Sequence, residues 1–220
     1  GAAQPAPAGG SADLLVQCGQ RVAGGQPRAH QRTPGGADHA VGTQDGQPFV
    51  IPTIHARMGD TLILHGAKAS RLLKHIQGGA PVCVAITLLD GLVVARSVFH
   101  NSMNFRSVVL FGAGHVIEDQ EERLAALEAL TDHVVPGRWR DSRPPNRKEL
   151  NATTVVALPI ESATAKLRAG PPGDDDEDYA LPIWAGVIPI QQMFGAPQDD
   201  PRLTDGIPAP EYVTGYRRRQ

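Results

Sequence analysis

Apolar and polar positions alternate most clearly between Pro81 and Glu118, and the chain is organised around that stretch. Val82 to Leu88 and Leu92 to Val98 are two apolar runs separated by Asp90-Gly91. Asp-Gly between apolar runs predicts a two-residue type I′ turn, which needs positive φ at both central positions. A third run, Arg106 to Phe111, is broken by Gly112 and Gly114, and a fourth covers His115 to Glu118. The pattern predicts an antiparallel meander, interrupted by a polar loop at Phe99 to Phe105. Strands that present a polar loop commonly carry a binding site on it.

The flanking segments follow the same reasoning. Phe49 to His55 reads as a strand, Met58-Gly59-Asp60 as a turn, and Thr61 to His65 as its hairpin partner. Pro52 gives no ladder donor, so it belongs at an edge. Ala67 to Gln77 predicts a short helix with Leu72, Leu73 and Ile76 on one side, ended by Gly78-Gly79. Asp119 is a natural N-cap for a helix over Gln120 to Val134, with Glu121 and Glu122 in its first turn and Leu124, Leu127, Leu130 and Val134 as its apolar stripe. Asn146 caps a second short helix. Thr153 to Ile160 and Trp184 to Ile190 read as strands, with an extension or bend at Ala165 to Ala169. The acidic run at Asp174 to Asp178 reads as a solvated loop. Short antiparallel strands with a few helices predict a small barrel with helices over its openings.

Composition changes this picture at the ends. Residues 1–43 hold no aromatic residue, and Leu14-Leu15-Val16 is their main apolar cluster. Such a segment buries too little surface to offset its ordering entropy. It reads as a disordered tail or a miscoded stretch, the alternative being a helix at Leu14 to Val22 and a strand at Ala37 to Thr43. Residues 44–194 form the barrel domain, and 195–220 an extended C-terminal tail ending in arginines.

The chain of 220 residues is 41% apolar with a net charge of −2, which points away from a nucleic-acid partner. Two cysteines are too few for a disulfide framework, and Cys83 reads as a buried thiol. No apolar run approaches the ~18 residues of a membrane span, and no basic-then-apolar leader is evident. A cytoplasmic location is expected.

The segments GQPFVIPTIHAR, ILHGAKASRLLKHI, ITLLDGLVVARSVFHNSMNFRSVVLFG, PGRW, RPPNRKEL and YALPIWAGVIPI carry a resemblance. Together they resemble the pyridoxamine 5′-phosphate oxidase-like flavin-binding proteins, in the branch that includes the nitroimidazole-resistance proteins. The resemblance implies an antiparallel six-stranded split β-barrel with flanking helices, a homodimer, and flavin mononucleotide (FMN) at the subunit interface. It also implies a flavin-dependent oxidoreductase acting on a small planar or nitroaromatic substrate. Haem, deazaflavin and a non-catalytic carrier role stand as alternatives.

The resemblance assigns roles residue by residue. Lys68, Ser70 and Arg71 match the segment that grips the flavin phosphate; Leu72 stands where relatives carry Lys, and Lys74 lies two residues on. A phosphate suits a helix start beside a hydroxyl and a guanidinium fork; otherwise these are surface charges. Pro52, Thr53 and Ile54 match the strand whose backbone meets the ring edge. Asn104, Arg106 and Ser107 match the position of polar side chains against the ring, with His100, Ser102 and Met103 as pocket wall; Arg106 in an apolar strand must reach solvent or an anion. His65 matches a histidine implicated in activity near the cofactor, and is otherwise a half-buried histidine bonded to a carbonyl. His55, His65 or His100 would be the axial ligand in the haem alternative. No metal site is expected, because no third ligand has suitable spacing.

Overall fold

The computed structural model describes residues 38–44 and 47–217. Leu14 to Val22 and the rest of residues 1–37 lie outside them. Two antiparallel sheets pack face to face without closing, as an open split barrel. The first sheet holds β1 (Asp38–Gln44), β2 (Gln47–Thr53), β5 (Pro81–Val94), β6 (Ser102–Ala113) and β9 (Ser162–Arg168), in the order β2-β1-β5-β6-β9. A sixth strand, β10 (Gly186–Pro189), pairs with β5. The second sheet has the order β3-β4-β8-β7, from β3 (His55–Met58), β4 (Thr61–Ala67), β7 (His115–Val116) and β8 (Thr153–Pro159). The helices are α1 (Arg71–Gln77), α2 (Gln120–Val134), α3 (Arg147–Ala152) and α4 (Glu211–Thr214).

The expected six-stranded sheet architecture with flanking helices is present. Two apolar layers hold it together. Phe49, Leu64, Leu72, Ile76, Val84, Leu110, Val156 and Leu158 fill the space between the sheets and under α1. Ala56, Ile63, Ala126, Leu130, Val155 and Ala157 join the second sheet to α2. Val155 and Ala157 thus face one layer while Val156 and Leu158 face the other, so β8 is buried on both sides and reads as one apolar run. The capping signals act as expected: Asp119 accepts the Glu122 N–H, and Asn146 forms a capping box with Glu149.

Four expectations are corrected. The first concerns Asp90-Gly91, which makes no turn. β5 runs through it with a register shift between Leu89 and Gly91, and Gly91 lacks the positive φ that a type I′ turn needs. The reversal comes at 95–101, around a short 3₁₀ turn at Val98–His100. Contacts distant in sequence decide this. The Asp90 carboxylate is held by Arg106 at 3.0 and 2.8 Å, and its carbonyl accepts the Ile190 N–H. A Cβ on Gly91 would lie 2.9 Å from Val187 Cγ1 and 3.1 Å from the Ile188 carbonyl. The glycine lets β10 approach; it does not bend the chain. The polar stretch 99–105 is correspondingly shorter, since β6 already begins at Ser102.

The second correction is at the N-terminus. β1 forms within the segment assigned to a disordered tail, where the alternative reading put a strand at Ala37 to Thr43, and pairs with both β2 and β5, so the folded domain reaches back to Asp38. Ladder pairing uses backbone groups and is not visible in composition. The third is the acidic run. The Asp174 side chain is fully buried, accepting the backbone N–H groups of Arg96 and Ser97 and the Arg96 guanidinium. Burial alone pushes its carboxyl up, but these donors outweigh that and hold it below the usual carboxylate value. The fourth is the tail, which folds back onto α2. Tyr216 donates to the Val134 carbonyl at 2.6 Å and meets Phe194 edge-on, while Tyr212 donates to Asp141.

Candidate functional site

The candidate residues fall into three groups. The first surrounds α1. Ser70 is its N-cap, its Oγ accepting the Leu73 N–H at 3.5 Å, so the hydroxyl already has a weak partner. Lys68 and Arg71 are exposed. The Arg71 guanidinium lies 4.4 Å from the centre of the Phe49 ring, and that ring meets His75 edge-on at 5.5 Å. Phe49 thus works as core and as a platform for two polar side chains. Beside them is a depression of about 490 Å³ lined by Ala69, Arg71, Lys74, His75, Gly78 and Ala80. The sequence reading missed His75 and Phe49 here. Helical spacing was the available signal for His75, which lies four residues after Arg71.

The second group, Pro52, Thr53 and Ile54, ends β2, the edge strand of the first sheet, where a proline breaks no ladder. The chain leaves that sheet at Ile54, which is exposed, and enters the other as β3.

The third group lies on β6. Asn104 is buried, donating to the Gly170 carbonyl at 3.0 Å and accepting from Arg168 at 2.6 Å. Arg106 finds its anion within the chain, in a two-bond fork with Asp90 that keeps the guanidinium firmly charged. Ser107 is 2.8 Å from Thr87 Oγ1 across the ladder. Strand alternation puts Asn104 and Arg106 on one face and Ser107 on the other.

Among the histidines, His65 sits on β4 opposite Val155. Its Nδ1 is buried without a hydrogen-bond partner, and burial lowers its pKa. The carbonyl bond expected for a structural histidine is therefore not made by that nitrogen. His55 is buried against His133, with ring centres 5.1 Å apart. Its pKa is pushed down to about 4, first by burial and then by the His133 charge. His100 faces Asp175 at 3.5 Å. Among the described residues, no group of three or more His, Cys, Asp or Glu could hold a metal ion. None of the described helices is long and apolar enough to cross a membrane.

Comparison with known proteins places this geometry in a family. The flavocytochrome Anf3 from Azotobacter vinelandii is 43% identical, with a TM-score of 0.77 over 82% of this chain and 84% of its own. The FAD and heme binding protein from Mycobacterium smegmatis is 42% identical, with a TM-score of 0.77 over 81% and 87%. A candidate 5-nitroimidazole antibiotic resistance protein from Bacteroides thetaiotaomicron is 25% identical, with a TM-score of 0.50 over 59% and 75%. No curated protein matches. The family model described as pyridoxamine 5′-phosphate oxidase matches residues 38–167, beginning at β1. The chain belongs to the pyridoxamine 5′-phosphate oxidase family and has its open split-barrel fold.

Proposed function

We propose that this protein is a flavin-binding oxidoreductase that also holds a haem and passes electrons to a small planar molecule. Two relatives above 40% identity, a flavocytochrome and a FAD and heme binding protein, support the cofactor pair. The observation in this molecule that carries the reading is the cationic depression at α1, where Arg71 and Lys74 line about 490 Å³ of open space. FMN, FAD and the deazaflavins all carry a phosphate beside the ribityl chain. A guanidinium fork and an ammonium complement that phosphate, and Phe49 beneath Arg71 limits the freedom the guanidinium loses on binding. FMN is the flavin that the family resemblance implies, and FAD the one in a relative's name.

His65 fits the haem. It is a half-buried imidazole biased to the neutral form that binds iron; its Nδ1 is buried inside the fold, so Nε2 would be the nitrogen that meets the group. His55 packs on His133 and His100 faces Asp175, which leaves His65 as the residue to hold the iron. When bound, the two groups supply the redox chemistry; the chain's residues neutralise phosphate, orient the rings and exclude water.

The proposal extends to a homodimer in the cytoplasm. The three residue groups lie on separate elements of one copy, as expected of a site completed by a second. A nitroaromatic acceptor is the second reading, favoured by the 25%-identical relative.

The purified protein is expected to absorb with two flavin bands and a Soret band. His65→Ala should remove the Soret band and keep the flavin bands. Arg71→Ala should weaken FMN binding by about 30–100-fold and riboflavin binding only slightly, because a charged bond to phosphate contributes about 2–3 kcal/mol. Equal losses for the two ligands would remove Arg71 from the grip. A protein that takes up neither flavin nor haem on titration would overturn the reading.

A further inference from the structure

We propose that His75 is a third anion-binding side chain of the α1 depression, and that it takes up a proton together with the phosphate it binds. The inference rests on the flavin reading above and adds a residue and a linked proton to its phosphate grip.

The imidazole is committed at one nitrogen only. His75 Nε2 lies 3.2 Å from the Pro81 carbonyl. A carbonyl oxygen only accepts, so Nε2 carries the hydrogen, and the contact sets the tautomer. The Phe49 ring meets the imidazole edge-on, with centres 5.5 Å apart. The His75 carbonyl also accepts the Ala80 N–H at 3.4 Å, so backbone and side chain together tie the end of α1 to the start of β5. Nδ1 makes no hydrogen bond among the described residues, yet it is not sealed from water. The result is a braced imidazole with one uncommitted nitrogen, in the wall of the depression that Arg71 and Lys74 line.

Charge names the ligand. Among the described residues no carboxylate lines the depression. With Nε2 donating to Pro81, a neutral His75 offers only a lone pair at Nδ1, which repels a phosphate oxygen. The imidazolium offers Nδ1–H instead, a charge-assisted donor. A phosphate monoester carries about −1.5 to −2 charge near pH 7, enough to engage more than one cation. Bound phosphate therefore favours the charged imidazole, and by reciprocity the charged imidazole tightens phosphate. The proton comes from solvent to Nδ1 and returns to solvent when the phosphate leaves. Of the strands that meet α1, β1 carries Asp38 and His39, β4 His65, β5 Cys83 and Asp90, and β7 His115; β2 and β8 carry no titratable residue. Among the described side chains, Arg71, Lys74 and His75 are the ones that bring charge to the depression.

Calorimetric titration of the full chain, freed of flavin by dialysis, tests this with FMN and with riboflavin in buffers of different ionisation heat. The wild type should take up protons with FMN and none with riboflavin. His75→Gln keeps a side-chain N–H for the Pro81 carbonyl and cannot take up a proton. It should weaken FMN binding about 10-fold, the usual scale for one hydrogen bond to a charged group. It should also abolish the proton uptake, while riboflavin affinity and melting temperature stay at wild-type values. A purely structural role would instead lower the melting temperature or weaken both ligands alike, and either result overturns the inference. A wild type that takes up no more protons with FMN than with riboflavin overturns it too, even where the variant does not fold. Unchanged FMN affinity in His75→Gln overturns it and spares the flavin reading if Arg71→Ala still loses FMN selectively. Equal losses of FMN and riboflavin in Arg71→Ala overturn both.

Discussion

Phe49→Ala is expected to cost the fold about 3–5 kcal/mol, the usual loss when a buried phenylalanine is truncated and its cavity remains. Phe49 is 9% exposed and belongs to the layer between the sheets. For a domain of this size the melting temperature should fall by roughly 10 °C or more. The variant should also loosen the α1 depression, because the ring lies under the Arg71 guanidinium and against His75. Phe49→Leu separates the two effects: it retains apolar burial and removes the cation–π contact of about 0.5–1 kcal/mol. It should weaken FMN binding several-fold with a small change in melting temperature. Wild-type affinity in Phe49→Leu would show that the platform does not position Arg71.

Acid should destabilise the protein through His55. Its pKa is about 4 in the fold against an ordinary value of 6.5. Above pH 6.5 the imidazole is neutral in both folded and unfolded chains. As pH falls through the window from about 6.5 to 4, the unfolded chain takes up a proton that the folded chain refuses. Stability present above the window is therefore lost across it, by about 3 kcal/mol, at 1.36 kcal/mol per pKa unit. His65, also lowered by burial, acts in the same direction. Urea unfolding at several pH values should show this slope in the wild type and a shallower one in His55→Phe, which cannot titrate. Identical slopes would show that His55 is not the group responsible. Because His133 packs against His55 and Tyr216 holds the neighbouring Val134 carbonyl, amide exchange at the end of α2 should quicken first.

The two Asp residues at positions 90 and 174 show how far local signals reach. Asp90-Gly91 carries a strong local turn signal, yet an arginine sixteen residues away and a strand a hundred residues away claim its carboxylate, its carbonyl and the space around its glycine. Asp174 begins a run that reads as solvated. The backbone donors that bury it come from a turn more than seventy residues earlier. In both cases residue type specified only what the group needed, a partner for a charge, and the partner came from the fold. Arg106 followed the same rule: its need for solvent or an anion was readable, and the choice of Asp90 was not. The α1 group was legible as residues, since Lys68, Ser70, Arg71 and Lys74 are close in sequence. The Phe49 platform was not, because it joins β2 to a helix more than twenty residues away.

By itself, the sequence determined whatever rests on short-range physics. That includes the period-two strands, the leucine face of α1, the N-caps at Asp119 and Asn146, and the segments whose order carries the family. Each depends on neighbours within about four residues, where spacing fixes geometry. Only the tertiary structure decided the path of β5 through Asp90-Gly91, the pairing of β1 in a segment without apolar pattern, the burial of Asp174, and the lowered pKa of His55. Those outcomes depend on which distant groups arrive with a matching donor, a charge or a surface that excludes water, and strand pairing brings such groups together without leaving a period in the chain.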